Sequence, residues 1–133
     1  MKFLDTKHEH IFYDLIKRMN NTDCYHTAVA YLIGLDVVCR EHIESLYDFD
    51  EACIKPDALS EEWQTGTSRK TTRLMFNLWN GYCSDGETYT DADGYESNLP
   101  SGMYSVEQIF CCGYAPFFYE AVKLRYPEYT SDD

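Results

Sequence analysis

The chain predicts a mainly α fold: a compact helical domain of about five to six helices, with a long acidic loop and room for a minor β-hairpin. Three observations predict it. Apolar residues recur at three- and four-residue spacing through most of the 133 residues, which aligns them on one face of a helix. Residues suited to helix caps, Asp5, Asp23, Asp36 and Ser105, stand just before those runs, and Gly34, Gly81 and Gly113 stand at their ends. The stretch 82–104 breaks the periodicity with Gly, Ser, Asp, Asn and Pro. Hydrophobic and aromatic fractions of 44% and 16% are too high for a disordered chain. The length suits one domain, 1–133, with a core of its own.

Asp5 caps a first helix that runs to about Asn20, with Ile11, Phe12, Leu15, Ile16 and Met19 along one side. Asn20-Asn21-Thr22 is a break. Asp23 caps a second helix, with Tyr25, Ala28, Val29, Leu32 and Ile33 inward and Gly34 as its stop. Asp36 starts a third at once, burying Cys39, Ile43, Leu46 and Tyr47. Turns this short imply antiparallel or steeply crossed neighbours.

The segment 48–55 alternates weakly and reads as a short extended piece. Pro56 keeps Lys55 out of a helix, and Leu59 and Trp63 are spaced to fold a helical turn onto the core. A fourth helix runs from about Ser68 to Asn80, with Thr71, Leu74, Met75, Leu78 and Trp79 on one side and Gly81 as its stop. Within 82–104, Thr88-Tyr89-Thr90 has strand character and Asp93-Gly94 is a turn dipeptide. Ser105 and Gln108 make a capping box for a fifth helix, ending near Gly113. Pro116 suits the first position of the last helix, which carries Phe117, Phe118, Ala121, Val122 and Leu124 and ends at Pro127. The tail 128–133 is expected to fray.

Several stretches together carry a resemblance. They are Phe3-Leu4-Asp5, Asp48-Phe49, Cys53-Ile54-Lys55-Pro56-Asp57-Ala58-Leu59, Trp63-Gln64, Ser68-Arg69-Lys70 and Phe76-Asn77-Leu78-Trp79-Asn80-Gly81. The chain resembles a small family of unknown function from Firmicutes, their phages and other mobile elements. The likeness covers Phe3 to Gly81 and, more loosely, the last helices, so the acidic loop reads as an elaboration of this chain. The resemblance implies a bacterial or phage cytoplasmic setting and no catalytic residue.

Charge carries the functional reading. The net charge is −12, from 23 acidic and 11 basic residues. Between Arg73 and Lys123 there is no Lys or Arg, and seven carboxylates lie there: Asp85, Glu87, Asp91, Asp93, Glu96, Glu107 and Glu120. Such a surface repels nucleic acid and anionic membranes, which need cations to displace counterions. It attracts basic partners. The start turns polar after Met1-Lys2-Phe3-Leu4, so no secretory signal is read, and no apolar run reaches spanning length. Six cysteines without a secretory signal are expected to be reduced thiols.

No catalytic constellation emerges, and no cofactor is implied. On a helix, His8 with His10 and Cys24 with His26 diverge too far to share a metal. Cys39 and His42 share a face but are only two ligands. The expectation is therefore solvated histidines, core cysteines and no metal. Asp91-Ala92-Asp93-Gly94 has the look of the middle of a calcium loop, but Tyr89 and Pro100 occupy the outer ligand positions.

Two binding sites remain. The first is Asp85, Glu87, Tyr89, Asp91, Asp93, Tyr95 and Glu96, where acids alternate with low-entropy contact rings. It predicts a non-enzymatic binding protein that engages a host protein's basic, nucleic-acid-binding surface without binding nucleic acid itself; the resemblance implies that such a protein is a phage or mobile-element accessory factor of anti-defence type. The alternative is an anion, nucleotide or small-molecule site at a helix start, formed by Thr67, Ser68, Arg69, Lys70 and Arg73. A salt bridge from those cations to the acidic loop competes with it.

Overall fold

The computed structural model describes residues 1–131. The chain is mainly helical, with eight α-helices and two small antiparallel sheets among those residues. The axis of the fold is α2 (Cys24–Leu35). Every residue from Ala28 to Leu35 is buried, so this helix has no solvent face in its second half. Its neighbours are α1 (Thr6–Met19), α5 (Gly66–Asn80) and α7 (Ala115–Arg125). A fully apolar helix of this kind needs partners on all sides. Each buried Leu, Ile or Val contributes roughly 1.5–3 kcal/mol over an exposed one.

The caps form as the residues predict. Asp5 accepts the N–H of His8 at 2.8 Å, and Asp23 accepts that of His26 at 2.8 Å. The α1 helix ends at Asn20, in the left-handed region at φ 52°. Gly34 is a correction. It does not stop α2 but lies inside it, where α1 crosses. A Cβ there would stand 3.1 Å from His8 Cδ2 and 3.2 Å from the His8 carbonyl oxygen. The glycine serves close packing, and Asp36 ends the helix.

The expected third helix is split into α3 (Val37–Arg40) and α4 (Ile43–Leu46). Asp36 caps α3 and is itself buried, its second carboxylate oxygen accepting Thr71 Oγ1 at 2.8 Å. Arg40 turns back to donate to the carbonyls of Gly34 (3.1 Å) and Leu35 (3.4 Å). A cation there complements the carbonyl end of α2. The extended piece becomes a miniature hairpin, β1 (Tyr47–Asp48) against β2 (Cys53–Ile54). A 3-10 turn over Pro56–Ser60 follows and buries Ala58 and Leu59.

The α5 helix begins at Gly66, earlier than predicted, because Thr65 is its cap. Thr65 Oγ1 accepts Ser68 N–H at 3.0 Å and Ser68 Oγ accepts Thr65 N–H at 2.7 Å. Gly81 ends it at φ 79°. Its buried side is wider than one stripe, since Ser68, Thr72 and Phe76 join the predicted positions. Tyr25, expected inward, is a surface residue whose ring lies 3.9 Å from the Arg125 guanidinium.

Stretch 82–104 is not an open loop. It holds β3 (Ser84–Thr90) and β4 (Glu96–Pro100) as an antiparallel pair, then a 3-10 turn over Gly102–Tyr104. Two helices follow where expected, α6 (Val106–Phe110) and α7; Ser105 accepts Gln108 N–H at 3.1 Å as one half of the expected box, and α6 ends at Cys111, short of Gly113. The tail begins as a further turn, α8 (Pro127–Thr130). Residues 132 and 133 of the expected frayed tail lie outside the described residues.

Candidate functional site

The hairpin stands on a fixed root. Asp85 receives two bonds from Arg73, Nε to Oδ1 at 3.0 Å and Nη2 to Oδ2 at 3.2 Å. Ser101 Oγ also donates to Asp85 Oδ2, at 2.8 Å. The Tyr104 hydroxyl donates to the Ser84 carbonyl at 2.7 Å, and Ser101 N–H to the Cys83 carbonyl at 2.7 Å. Burial, together with the Asp85 charge, pushes the Tyr104 phenol well up from its ordinary pKa, so it remains a donor. A forked pair between a guanidinium and a half-buried carboxylate fixes direction as well as distance. Asp85 therefore leaves the predicted outward set, because α5 presents Arg73 to it.

Beyond this root the hairpin is exposed on both faces, from Glu87 to Pro100. The register pairs Thr88 with Asn98, Tyr89 with Ser97 and Thr90 with Glu96. Asp91 N–H donates to the Tyr95 carbonyl at 2.9 Å and closes the ladder. Alternation then sorts the side chains. Glu87, Tyr89, Asp91, Tyr95, Ser97 and Leu99 share one face, and Thr88, Thr90, Glu96 and Asn98 share the other. Tyr95 is 71% exposed, Tyr89 47% and Leu99 41%. So four of the predicted residues, Glu87, Tyr89, Asp91 and Tyr95, come together. Glu96 points the other way, and Asp93 sits in the turn. Leu99 was missed, although the alternation 95, 97, 99 in the sequence would have found it.

The turn organises itself around one carboxylate. Asp91 Oδ1 accepts the N–H groups of Asp93 and Tyr95, each at 2.9 Å, and Gly94 takes the left-handed conformation at φ 85°. A side chain that mimics a turn in this way holds the tip without help from the body. No ion pair reaches Glu87, Asp91, Asp93 or Glu96 among the described residues. Among those residues, no three of His, Cys, Asp or Glu gather to hold a metal ion.

The alternative site is differently placed. Because α5 starts at Gly66, Arg69, Lys70 and Arg73 fall after its first turn. Arg73 is taken by Asp85, Lys70 Nζ donates to the Gln108 carbonyl, and Arg69 Nε donates to the Leu59 carbonyl at 3.4 Å. Ser68 is buried in the capping box and donates to Gln64 Oε1 at 2.6 Å. Thr67 is exposed, beside Leu4, Gly113 and Tyr114.

The histidines correct the sequence reading. His10 is exposed, but His8 is fully buried and His26 nearly so. His8 Nδ1 accepts Leu4 N–H at 3.0 Å, so Nε2 carries the proton and donates to the Tyr31 carbonyl at 2.8 Å. Burial pushes its pKa down, and the Tyr31 bond offsets part of that. Of the cysteines only Cys39 is buried, and burial pushes its thiol up. Cys83 and Cys111 are exposed.

The chain belongs to a family of unknown function (DUF6075). The match runs over residues 1–133, wider than the stretch from Phe3 to Gly81 and through the hairpin. No curated protein and no solved structure matches it significantly. No described helix is long and apolar enough to cross a membrane.

Proposed function

We propose that the protein is a non-enzymatic binding module that presents its acidic hairpin to a basic protein surface. The observation that carries this is the shared face of Glu87, Tyr89, Asp91 and Tyr95, with Leu99 beside them, on a strand pair uncovered on both sides. A two-stranded sheet without a covering layer is marginal by itself. Here the root bonds hold it, and its tip is left for contact. Carboxylates at fixed intervals can stand where phosphates would, and their field speeds encounter with a cationic groove. A nucleic-acid-binding surface of a host protein is the class of partner that fits. A bacterial or phage cytoplasmic setting and an anti-defence role belong to the same proposal, by the family resemblance.

The test is capture from a bacterial lysate at low and at high salt. The wild-type chain is expected to retain a basic protein at low salt and release it at high salt. A variant with Glu87→Gln, Asp91→Asn, Asp93→Asn and Glu96→Gln should fold normally and retain nothing. Equal capture by that variant overturns the reading.

A further inference from the structure

The ladder has a phase. Since Asp91 N–H bonds the Tyr95 carbonyl, Tyr89 and Ser97 form a hydrogen-bonded pair, two residues along. Thr88 and Thr90 fall between such pairs, so their N–H and C=O groups point away from β4. The described residues place no third strand beside them. The opposite edge is blunted at Pro100, which pairs with Ser84 and has no N–H to offer. At its root, β3 is bent by a bulge near Gly86, at φ 99°, and packs on the 3-10 turn at Ser60. By the same phase Glu96 and Asn98 of β4 also point outward, so both edges are open beyond the root; the one that runs beside Glu87 and Asp91 is Thr88 to Thr90.

An open edge invites another strand, and proteins block it with charge. Here the charge is negative. On one face, Glu87 and Tyr89 succeed one another along β3, and Asp91 follows just past its end. A second copy of this chain would bring acid against acid, which is unfavourable in cross-strand pairs. A strand with Lys or Arg at alternate positions would set its cations beside Glu87 and Asp91 and over the Tyr89 ring.

We propose that β3 takes up an extended basic segment of a partner protein as a third strand, paired to Thr88 and Thr90. This rests on the acidic-module reading above and gives it a mode of contact. A short peptide alternating lysine and valine is the probe. It is compared with the same peptide N-methylated throughout, which keeps the charge and extended shape but has no N–H to donate. The unmodified peptide is expected to bind the full chain and to slow amide exchange at Thr88 and Thr90. The methylated one should bind at least about tenfold more weakly.

Failure of the unmodified peptide to bind, or unchanged exchange at both threonines, overturns strand addition. Should both peptides bind alike and a Glu87→Gln, Asp91→Asn variant lose both, strand addition fails and the electrostatic reading stands. Should that variant bind the unmodified peptide as tightly as wild type, the electrostatic reading fails and this proposal falls with it.

Discussion

The helical body and the acidic hairpin obey opposite rules. In the body, the second half of α2 is sealed on all sides, and even its polar neighbours are bonded: Asp36 to Thr71, His8 to Tyr31, Ser68 to Gln64. In the hairpin nothing beyond Glu87 is buried. The first region holds itself by area removed from water. The second is held by a ladder, a turn carboxylate and the Arg73–Asp85 fork. A region that contributes little to the core is free to serve another purpose, and the Arg73 fork is where one region hands its rigidity to the other.

The largest test of this contrast is Phe76→Ala. Phe76 is fully buried, and its loss should cost about 3–5 kcal/mol in denaturant unfolding. A cost below about 1 kcal/mol would mean the body is looser than its burial implies. Gly34→Ala comes next, at about 1–3 kcal/mol, because the new methyl meets the His8 backbone oxygen and cannot move it without shifting α1. Arg73→Ala should cost about 1–2 kcal/mol and leave Asp85 half-buried without its partner. Its sharper readout is faster amide exchange in β3 and β4 than in α2. Equal acceleration in both would show that the fork is not the joint between the regions.

The pH response also belongs to the body. The His8 pKa is lowered by burial, so below about 6.5 the unfolded chain takes up a proton that the folded chain refuses. Its contribution is fully present above that value and is lost as pH falls toward the folded value. Protonation would also put a proton on Nδ1, facing the Leu4 N–H. Denaturation midpoints should drop through this interval, and a His10→Gln variant, altered at an exposed site, should show the same drop. A flat profile would contradict the burial argument. The smallest effect is expected of the hairpin: Tyr89→Ala with Tyr95→Ala should alter stability by less than about 0.5 kcal/mol while abolishing peptide binding.

Local rules were legible where they act alone. Asp5, Asp23 and Ser105 cap the helices they precede, and Gly81 ends α5. Sequence misled where a distant element intervened. Gly34 looks like a stop and is a crossing point, because only the packed structure brings His8 to it. The one-sided pattern predicted for α2 hid a helix whose second half is covered all round. His8 looked solvated because helical spacing does not reveal a second helix above it.

For the candidate site, the residues themselves determined that 82–104 is acidic, bears tyrosines and lacks any neighbouring cation in sequence, since composition is local. Its alternation also held the two faces of the hairpin, once the strands were known. Only the tertiary structure decided that Asp85 is spent on Arg73 and that the cations of α5 have protein partners. It alone left one edge of β3 uncovered. Charge is written residue by residue, but neutralisation is a matter of which charges the fold brings within reach of one another.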